Sequence, residues 1–309
     1  MKKILLLSSF IFVSSISFAQ QDPQFSQNMY NLLQPNPATA GANDAICASL
    51  LYRNQWVDFD RAPKTFLLSV DAPFEILHGG LGVTVMADEL GYEKSINAKL
   101  AYALRFDVGA GKIAIGADAG LLQKSQKGGL ATSGGVFIPI EPNDPLIPKS
   151  DVSGSKLDLG AGAFYNSEHL YVGFSATHLL EGNVNYGDFK TEVVRHLYGT
   201  IGASLDLTPS VALKPSVFVK SISAKTIADI NVNVHFNNRF WLGGSYRLKD
   251  AIVIMAGVTL VQNLRIGYSY DVTTSPIKNY SNGTHEITLG YCYKINKKVP
   301  PVIKNVRFL

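Results

Sequence analysis

The sequence predicts an all-β protein, a transmembrane antiparallel β-barrel of about fourteen strands with an irregular N-terminal arm and a short C-terminal tail. Three observations carry this reading. Of 309 residues, 46% are hydrophobic and only 17% charged, against roughly 25% charged in an average soluble domain. The first residues form an export signal. The rest of the chain is a series of segments of about ten residues with period-two alternation, and no apolar run approaches the roughly 20 residues that a spanning helix needs. Lipid offers no partner to an open strand edge, so an exported chain that spans with strands has to close them on themselves.

At the N-terminus Met1, Lys2 and Lys3 precede an apolar run and the small-residue site Ser17-Phe18-Ala19, which makes 1–19 a signal peptide cut near Ala19. Residues 20–44, rich in Asn, Gln and Pro, read as a periplasmic or lumenal arm. The barrel occupies 45–294, with strands near 45–55, 64–72, 79–88, 93–106, 111–124, 156–166, 168–178, 192–206, 210–220, 226–236, 239–248, 251–260, 263–272 and 284–294. Residues 295–309 form a basic periplasmic tail. In the fourth strand Ile96, Ala98, Leu100, Tyr102, Leu104 and Phe106 alternate with Ser95, Asn97, Lys99, Ala101, Ala103 and Arg105, one face suited to lipid and the other to water. A soluble β-sandwich alternates too, and connection lengths weigh against it. The even-numbered connections, such as Asp107 to Ala110 and Asn237-Asn238, are short. The long ones, near 56–63, 125–155, 179–191 and 273–283, are all odd-numbered, as an outer-membrane barrel with periplasmic termini requires. Tyr52, Phe106, Tyr165, Phe236, Tyr270 and Tyr293 fall near strand ends and suit interfacial girdles. Pro215 lies inside the ninth strand, where it removes a ladder hydrogen bond, so a bulge or break is expected there.

Little in the sequence suggests chemistry. The formal charge of +4 is small and dispersed, which implies neither nucleic acid nor an acidic substrate. The six histidines show no metal spacing within a strand: His285-Glu286 leads to Leu289 where HExxH needs histidine. No GxSxG elbow is present. Gly109 to Ala114 reads GxGxxA but falls on a hairpin with no helix after it, so it is a turn. The expectation is no enzyme, no cofactor and no metal. Lumen-facing charges, Arg53, Lys99, Arg105, Asp118, Asp158, Lys214, Lys220, Asp229, Arg247, Arg265, Asp271 and Glu286, suit either a selective pore or, preferred here, an internal ion-pair network that fills the lumen. Closure pairs the first and last strands and brings Cys47 and Cys292 near each other. A bridge is open to them in an oxidising compartment, with two free thiols the expected state.

Three strings carry a resemblance to a family: QDPQFSQNMYNLLQPNPATAG (Gln21 to Gly41), YRNQWVDFDRAPKTFLLSVDAPF (Tyr52 to Phe74) and GGLGVTVMADELGYEKSINAKLAYALRF (Gly79 to Phe106). In order and spacing they resemble the PorP/SprF proteins of the Bacteroidetes type IX secretion and gliding machinery. The terminal Val306 to Leu309 looks like the family's Arg-aromatic ending, without its final aromatic. The resemblance implies a non-enzymatic component, integral to the outer membrane of a Gram-negative bacterium. It implies support for secretion and surface anchoring of a type IX substrate, such as a gliding adhesin held by its C-terminal domain. It also implies association with periplasmic-ring or peptidoglycan-linked parts of the apparatus, with outer-membrane lipid around the barrel. No catalytic residue carries over. Aromatic and Arg residues in an exposed loop are common interface anchors, so Trp56, Asp58, Phe59, Asp60 and Arg61 are the candidate contacts for the secreted protein. Asp22, Pro23, Phe25 and Tyr30 of the arm are the candidates for the periplasmic side. The proline-rich loop 125–155 could also take a partner or cap the barrel mouth. The alternative function is an outer-membrane channel or porin for small or hydrophobic solutes.

Overall fold

The structure, a computed structural model, describes residues 22–128, 148–186, 189–222, 225–260 and 263–294. The expected signal peptide, the C-terminal tail, the greater part of the proline-rich loop and the Val261-Gln262 turn lie outside the described residues.

Alternation of apolar and polar side chains makes each segment a strand with one lipid face and one lumenal face, and the strands run along the chain as a meander. They are β1 (Ala45–Asn54), β2 (Lys64–Phe74), β3 (Gly79–Leu90), β4 (Glu93–Val108), β5 (Gly111–Gln126), β6 (Val152–Ser167), β7 (Leu170–Thr177), β8 (Gly182–Tyr186), β9 (Phe189–Val193), β10 (His196–Ala203), β11 (Leu205–Thr208), β12 (Val211–Ile222), β13 (Lys225–Phe236), β14 (Phe240–Arg247), β15 (Ala251–Thr259), β16 (Leu264–Thr273) and β17 (Thr284–Lys294). Among the described residues no α-helix occurs. Every barrel neighbour is antiparallel, β1 pairs with both β2 and β17, and β10 pairs with β12, so the sheet closes. With β10 and β11 as two parts of one strand, the barrel has fourteen strands.

That one interruption has a local cause. The β10–β12 register runs from Leu197↔Ser221 to Gly202↔Ser216 and resumes at Leu205↔Leu213. The missing rungs are those opposite Lys214 and Pro215. Pro215 has no N–H to give, and its pairing with Val232 on β13 is intact, so the loss falls wholly on the β10–β11 side. Ser204, left over, donates its amide to the His169 carbonyl at 2.9 Å.

The burial pattern is inverted relative to a soluble protein. Leu100, Ile115, Phe174, Leu242 and Ile254 are exposed on the outside, while Arg53, Asp229, Arg247, Asp271 and Glu286 are buried inside. Phe106, Phe236, Phe240 and Tyr293 lie exposed towards the short-turn end, Tyr52, Tyr246 and Tyr280 towards the other, as membrane-interface belts do. Turn chemistry agrees. Gly109 (φ 59°) opens the two-residue hairpin between Val108 and Gly111, and Asn237 and Asn238 (φ 50° and 52°) take the left-handed region that Asn tolerates.

Two expectations are corrected. Residues 179–191, read as loop, contain the β8–β9 hairpin, and 192–193 belong to it rather than to the next barrel strand. Its inner face, Val184, Tyr186 and Val193, packs on Leu122 of β5, so a hydrophobic cluster keeps the hairpin against the barrel mouth. Cys47 and Cys292, expected as free thiols, are joined in a disulfide. The β1–β17 register sets them directly opposite each other with Cα atoms 4.1 Å apart, a consequence of pairing that no linear spacing reveals.

Candidate functional site

The lumen is occupied by the arm. From Asp44, at the short-turn end, residues 22–44 run back through the barrel, so that Asp22 lies near the opposite end, beside His178, Tyr198 and Lys220. The chain enters there because the inner wall is shaped for it. Its apolar residues meet apolar wall positions: Phe25 packs on Leu51, Leu67 and Met86, and Leu33, Ala38 and Ala40 pack on Ala101, Ala103, Ala114 and Phe164. Met29 and Tyr30 lie on Trp241, Val253 and Met255. Two wall glycines permit the approach, since a Cβ on Gly80 would stand 2.1 Å from the Ala40 carbonyl oxygen and one on Gly116 2.5 Å from the Ala38 amide. Asn36 caps the short 3-10 turn Pro37–Thr39 through the Ala38 amide at 3.0 Å and donates to the Ala163 carbonyl at 3.1 Å.

Mid-lumen the arm is fixed by a buried ionic layer. Arg53 bonds Asp271 at 2.8 Å and Glu286 at 2.9 Å, and Arg247 bonds Asp229 and Asp271, each at 3.0 Å. Arg53 faces Glu286 across the β1–β17 ladder, and Asp229 faces Arg247 across β13–β14. Ser26 completes the layer. Its hydroxyl donates to Asp271 at 2.6 Å and accepts from Arg53 and Arg247 at 2.9 and 3.2 Å. The amides of Ser26 and Gln27 donate to the two Glu286 oxygens at 2.9 and 2.8 Å, and Gln24 and Asn28 donate to Asp229. Charges taken this far from water persist only when paired and hydrogen-bonded, and here the arm supplies part of that pairing. Cavities of about 420 and 800 Å³ flank the layer, the first bordered by Tyr30, Lys214 and Arg265, the second by Asp22, Trp56 and Lys249.

A second polar cluster lies at the arm's leading end. Lys99 bonds Asp158 at 3.0 Å and Asp118 at 3.4 Å. His178 stands between Asp158 (Nδ1, 2.9 Å) and Asp22 (Nε2, 3.0 Å). Burial opposes the imidazolium, but the two carboxylates outweigh it and push His178 up to about 9. Burial likewise favours a neutral Asp22, yet His178, His196 and Lys220 hold it well below the usual carboxylate range.

The expected contact residues separate into two settings that share one cavity. Asp58, Phe59 and Asp60 are exposed on the loop after β1, and Trp56 and Arg61 are half-buried. Val57 exchanges backbone hydrogen bonds with Asn282 and Gly283 of the loop before β17, and the Arg61 guanidinium lies 3.7 Å over the Tyr92 ring. Of the arm residues, Phe25 is buried and Tyr30 is packed against Trp241. Asp22 and Pro23, expected on the periplasmic side, instead border the 800 Å³ cavity together with Trp56, because the arm traverses the lumen rather than hanging below it. His178 and His196, read as isolated, lie with ring centroids 5.3 Å apart, and Asp22 of the arm meets both Nε2 atoms, His178 through its carboxylate at 3.0 Å and His196 through its backbone amide, which donates at 3.2 Å. Their separation along the chain from Asp22 gives no linear signal.

A closed, lipid-faced antiparallel barrel with polar lumen and parity-sorted connections is an integral outer-membrane β-barrel. The chain belongs to the type IX secretion system membrane protein PorP/SprF family, which it matches over residues 17–291. Among curated proteins none matches. Solved structures of similar shape include a Pseudomonas aeruginosa FadL homologue (12% identity, TM-score 0.48, covering 84% of this chain and 92% of that one). Also similar are the CymD monoaromatic hydrocarbon channel (11%, TM-score 0.48, 88% and 94%) and a KdgM porin (12%, TM-score 0.35, 79% and 98%).

Proposed function

We propose that this barrel is a non-enzymatic docking platform of the type IX apparatus, one that supports export of a secreted protein and holds it at the cell surface. The observation that carries the reading is the filled lumen. Residues 22–44 are tied to the wall by the Arg53–Glu286–Asp271–Arg247–Asp229 layer, so a client is better served by the barrel's outer surface than by its interior. The contact surface for that client, an adhesin C-terminal domain or a comparable type IX substrate, is the loop bearing Trp56, Asp58, Phe59, Asp60 and Arg61 and the cavity behind it, where Asp22 and Pro23 lie. Edge-to-face Trp56 and Phe59, 6.5 Å apart, beside Arg61 and the two acids Asp58 and Asp60 of the same loop, have the composition of an interface anchor. Periplasmic-ring or peptidoglycan-linked components then meet the short-turn rim.

Deleting the gene and comparing surface proteomes tests the reading. The expected result is that one surface protein disappears from the cell or is released to the medium, and that a Trp56→Ala, Phe59→Ala double variant reproduces the loss with the barrel still in the membrane. A deletion strain whose surface proteome is unchanged would refute it.

A further inference from the structure

Three side chains at the arm's leading end have the arrangement of a transition-metal site. His178 and His196 stand on the wall at either end of the β8–β9 excursion, and Asp22 comes from the arm. One donor atom from each lies within 4.8 Å of the other two, close enough for a single ion to draw them together by side-chain rotation. Both imidazoles turn Nε2 to Asp22, His178 to its carboxylate at 3.0 Å and His196 to its backbone amide, which donates at 3.2 Å and has to give way to an ion, and both have Nδ1 engaged behind. His178 Nδ1 bonds the Asp158 carboxylate at 2.9 Å, and His196 Nδ1 bonds the Val194 carbonyl at 3.0 Å. A carboxylate or a backbone carbonyl on the rear nitrogen is what fixes tautomer and ring orientation in metal-bound histidines. Tyr198 donates to the second Asp22 oxygen at 3.0 Å and holds that carboxylate in place.

The electrostatics and access agree. Around the imidazoles the carboxylates of Asp22, Asp118 and Asp158 outnumber the ammonium groups of Lys99 and Lys220 by one. A cavity of about 70 Å³ opens onto the group and is bordered by the acids Asp88, Glu93 and Glu192, with Lys124 paired to Glu93.

We infer that His178, His196 and Asp22 bind one divalent transition ion of the Zn²⁺ class, which clasps the arm to the barrel wall. Two imidazoles and one carboxylate suit Zn²⁺ and its neighbours rather than Ca²⁺ or Mg²⁺, which take oxygen ligands. The ion replaces the proton that His178 Nε2 shares with Asp22, and that proton leaves to solvent. The inference stands apart from the secretion reading and would survive its failure.

The test uses the detergent-purified barrel, stripped with chelator and titrated with Zn²⁺ alone, then with Co²⁺ alone. The expected result is one Zn²⁺ per chain, a visible Co²⁺ spectrum of nitrogen and oxygen ligation, and protection of the arm from protease on loading. His178→Gln and His196→Gln each weaken binding by at least about a hundredfold, and Asp158→Asn, which among the three ligands touches His178 alone and otherwise meets Lys99 and Asn97, by about ten- to a hundredfold, as loss of an outer-shell partner does. Should a histidine variant fail to fold, Asp22→Asn decides, because Asp22 lies on the arm and outside the barrel ladder. Folded wild-type protein that takes up no Zn²⁺, or uptake unchanged in the folded variants, overturns the inference.

Discussion

Glu286 shows at the scale of one residue how the lumen is held shut. It is fully buried, and its two oxygens receive Arg53 and the amides of Ser26 and Gln27. Glu286→Ala leaves a buried guanidinium with Asp271 and Ser26 alone and two arm amides without acceptors, a loss of about 3–5 kcal/mol for a broken buried pair. Glu286→Gln keeps an oxygen for one amide and costs less. The temperature at which the folded band converts to the unfolded one on gels should therefore fall in the order wild type, Gln, Ala, with amide exchange in 22–31 rising in the same order. An alanine variant as resistant as wild type would mean that the arm is held by packing alone. Position 286 was legible as a lumenal acid from alternation, and Arg53 as a lumenal base. That the two face each other depends on closure of β1 onto β17, which no local pattern encodes.

The arm is an element specified as much by the wall as by its own residues. Inward positions on β3 to β6 are small where it passes, Gly80, Ala101, Ala103, Ala114, Gly116 and Gly162. Gly116→Val inserts a branched side chain where a single Cβ already stands 2.5 Å from Ala38, so backbone on one side has to move. Since β5 is held on both edges by sixteen-residue ladders, the arm is the side that yields. Limited proteolysis should cut within 22–44 faster in the variant than in the wild type at equal metal loading, while the barrel keeps its resistance to denaturation on gels. Unchanged arm protection would show that the seat at Gly116 is not needed. The same residues mark the boundary of what the sequence conveys. Period two predicts the strands and their faces well because each face meets a different solvent. The arm has no period, and its seat becomes visible only when small inward residues of separate strands are superimposed. The β8–β9 hairpin escaped for a related reason, since five-residue alternations such as Gly182 to Tyr186 are too short to stand out from loop.

On the scale of the whole molecule, one covalent and one steric closure act together. The Cys47–Cys292 bond joins residues 245 apart, so nearly the entire barrel lies inside the loop it closes. In the chain-entropy view such a loop contributes about 5 kcal/mol by restricting the unfolded chain. Because the β1–β17 ladder extends over ten opposed pairs, Cys47→Ser should still close the barrel but convert to the unfolded form at lower temperature. Reductant should do the same to wild type and nothing to the variant; equal resistance in all samples would count against a stapled seam. The steric closure decides conduction. Fourteen strands lie between the eight whose interior side chains nearly fill and the sixteen or more that leave an aqueous channel, so what blocks this lumen is the arm rather than the wall. Intact protein in planar bilayers should show no steady conductance, and a chain lacking 22–44 should conduct. At the ionic layer the pore then presents two guanidinium groups, Arg53 and Arg247, against three carboxylates, Asp229, Asp271 and Glu286, which predicts weak cation preference. Reversal potentials in a salt gradient measure that preference directly. A wild-type barrel that conducts as the deletion does would make it a channel after all, with the arm an ornament of the lumen instead of its plug.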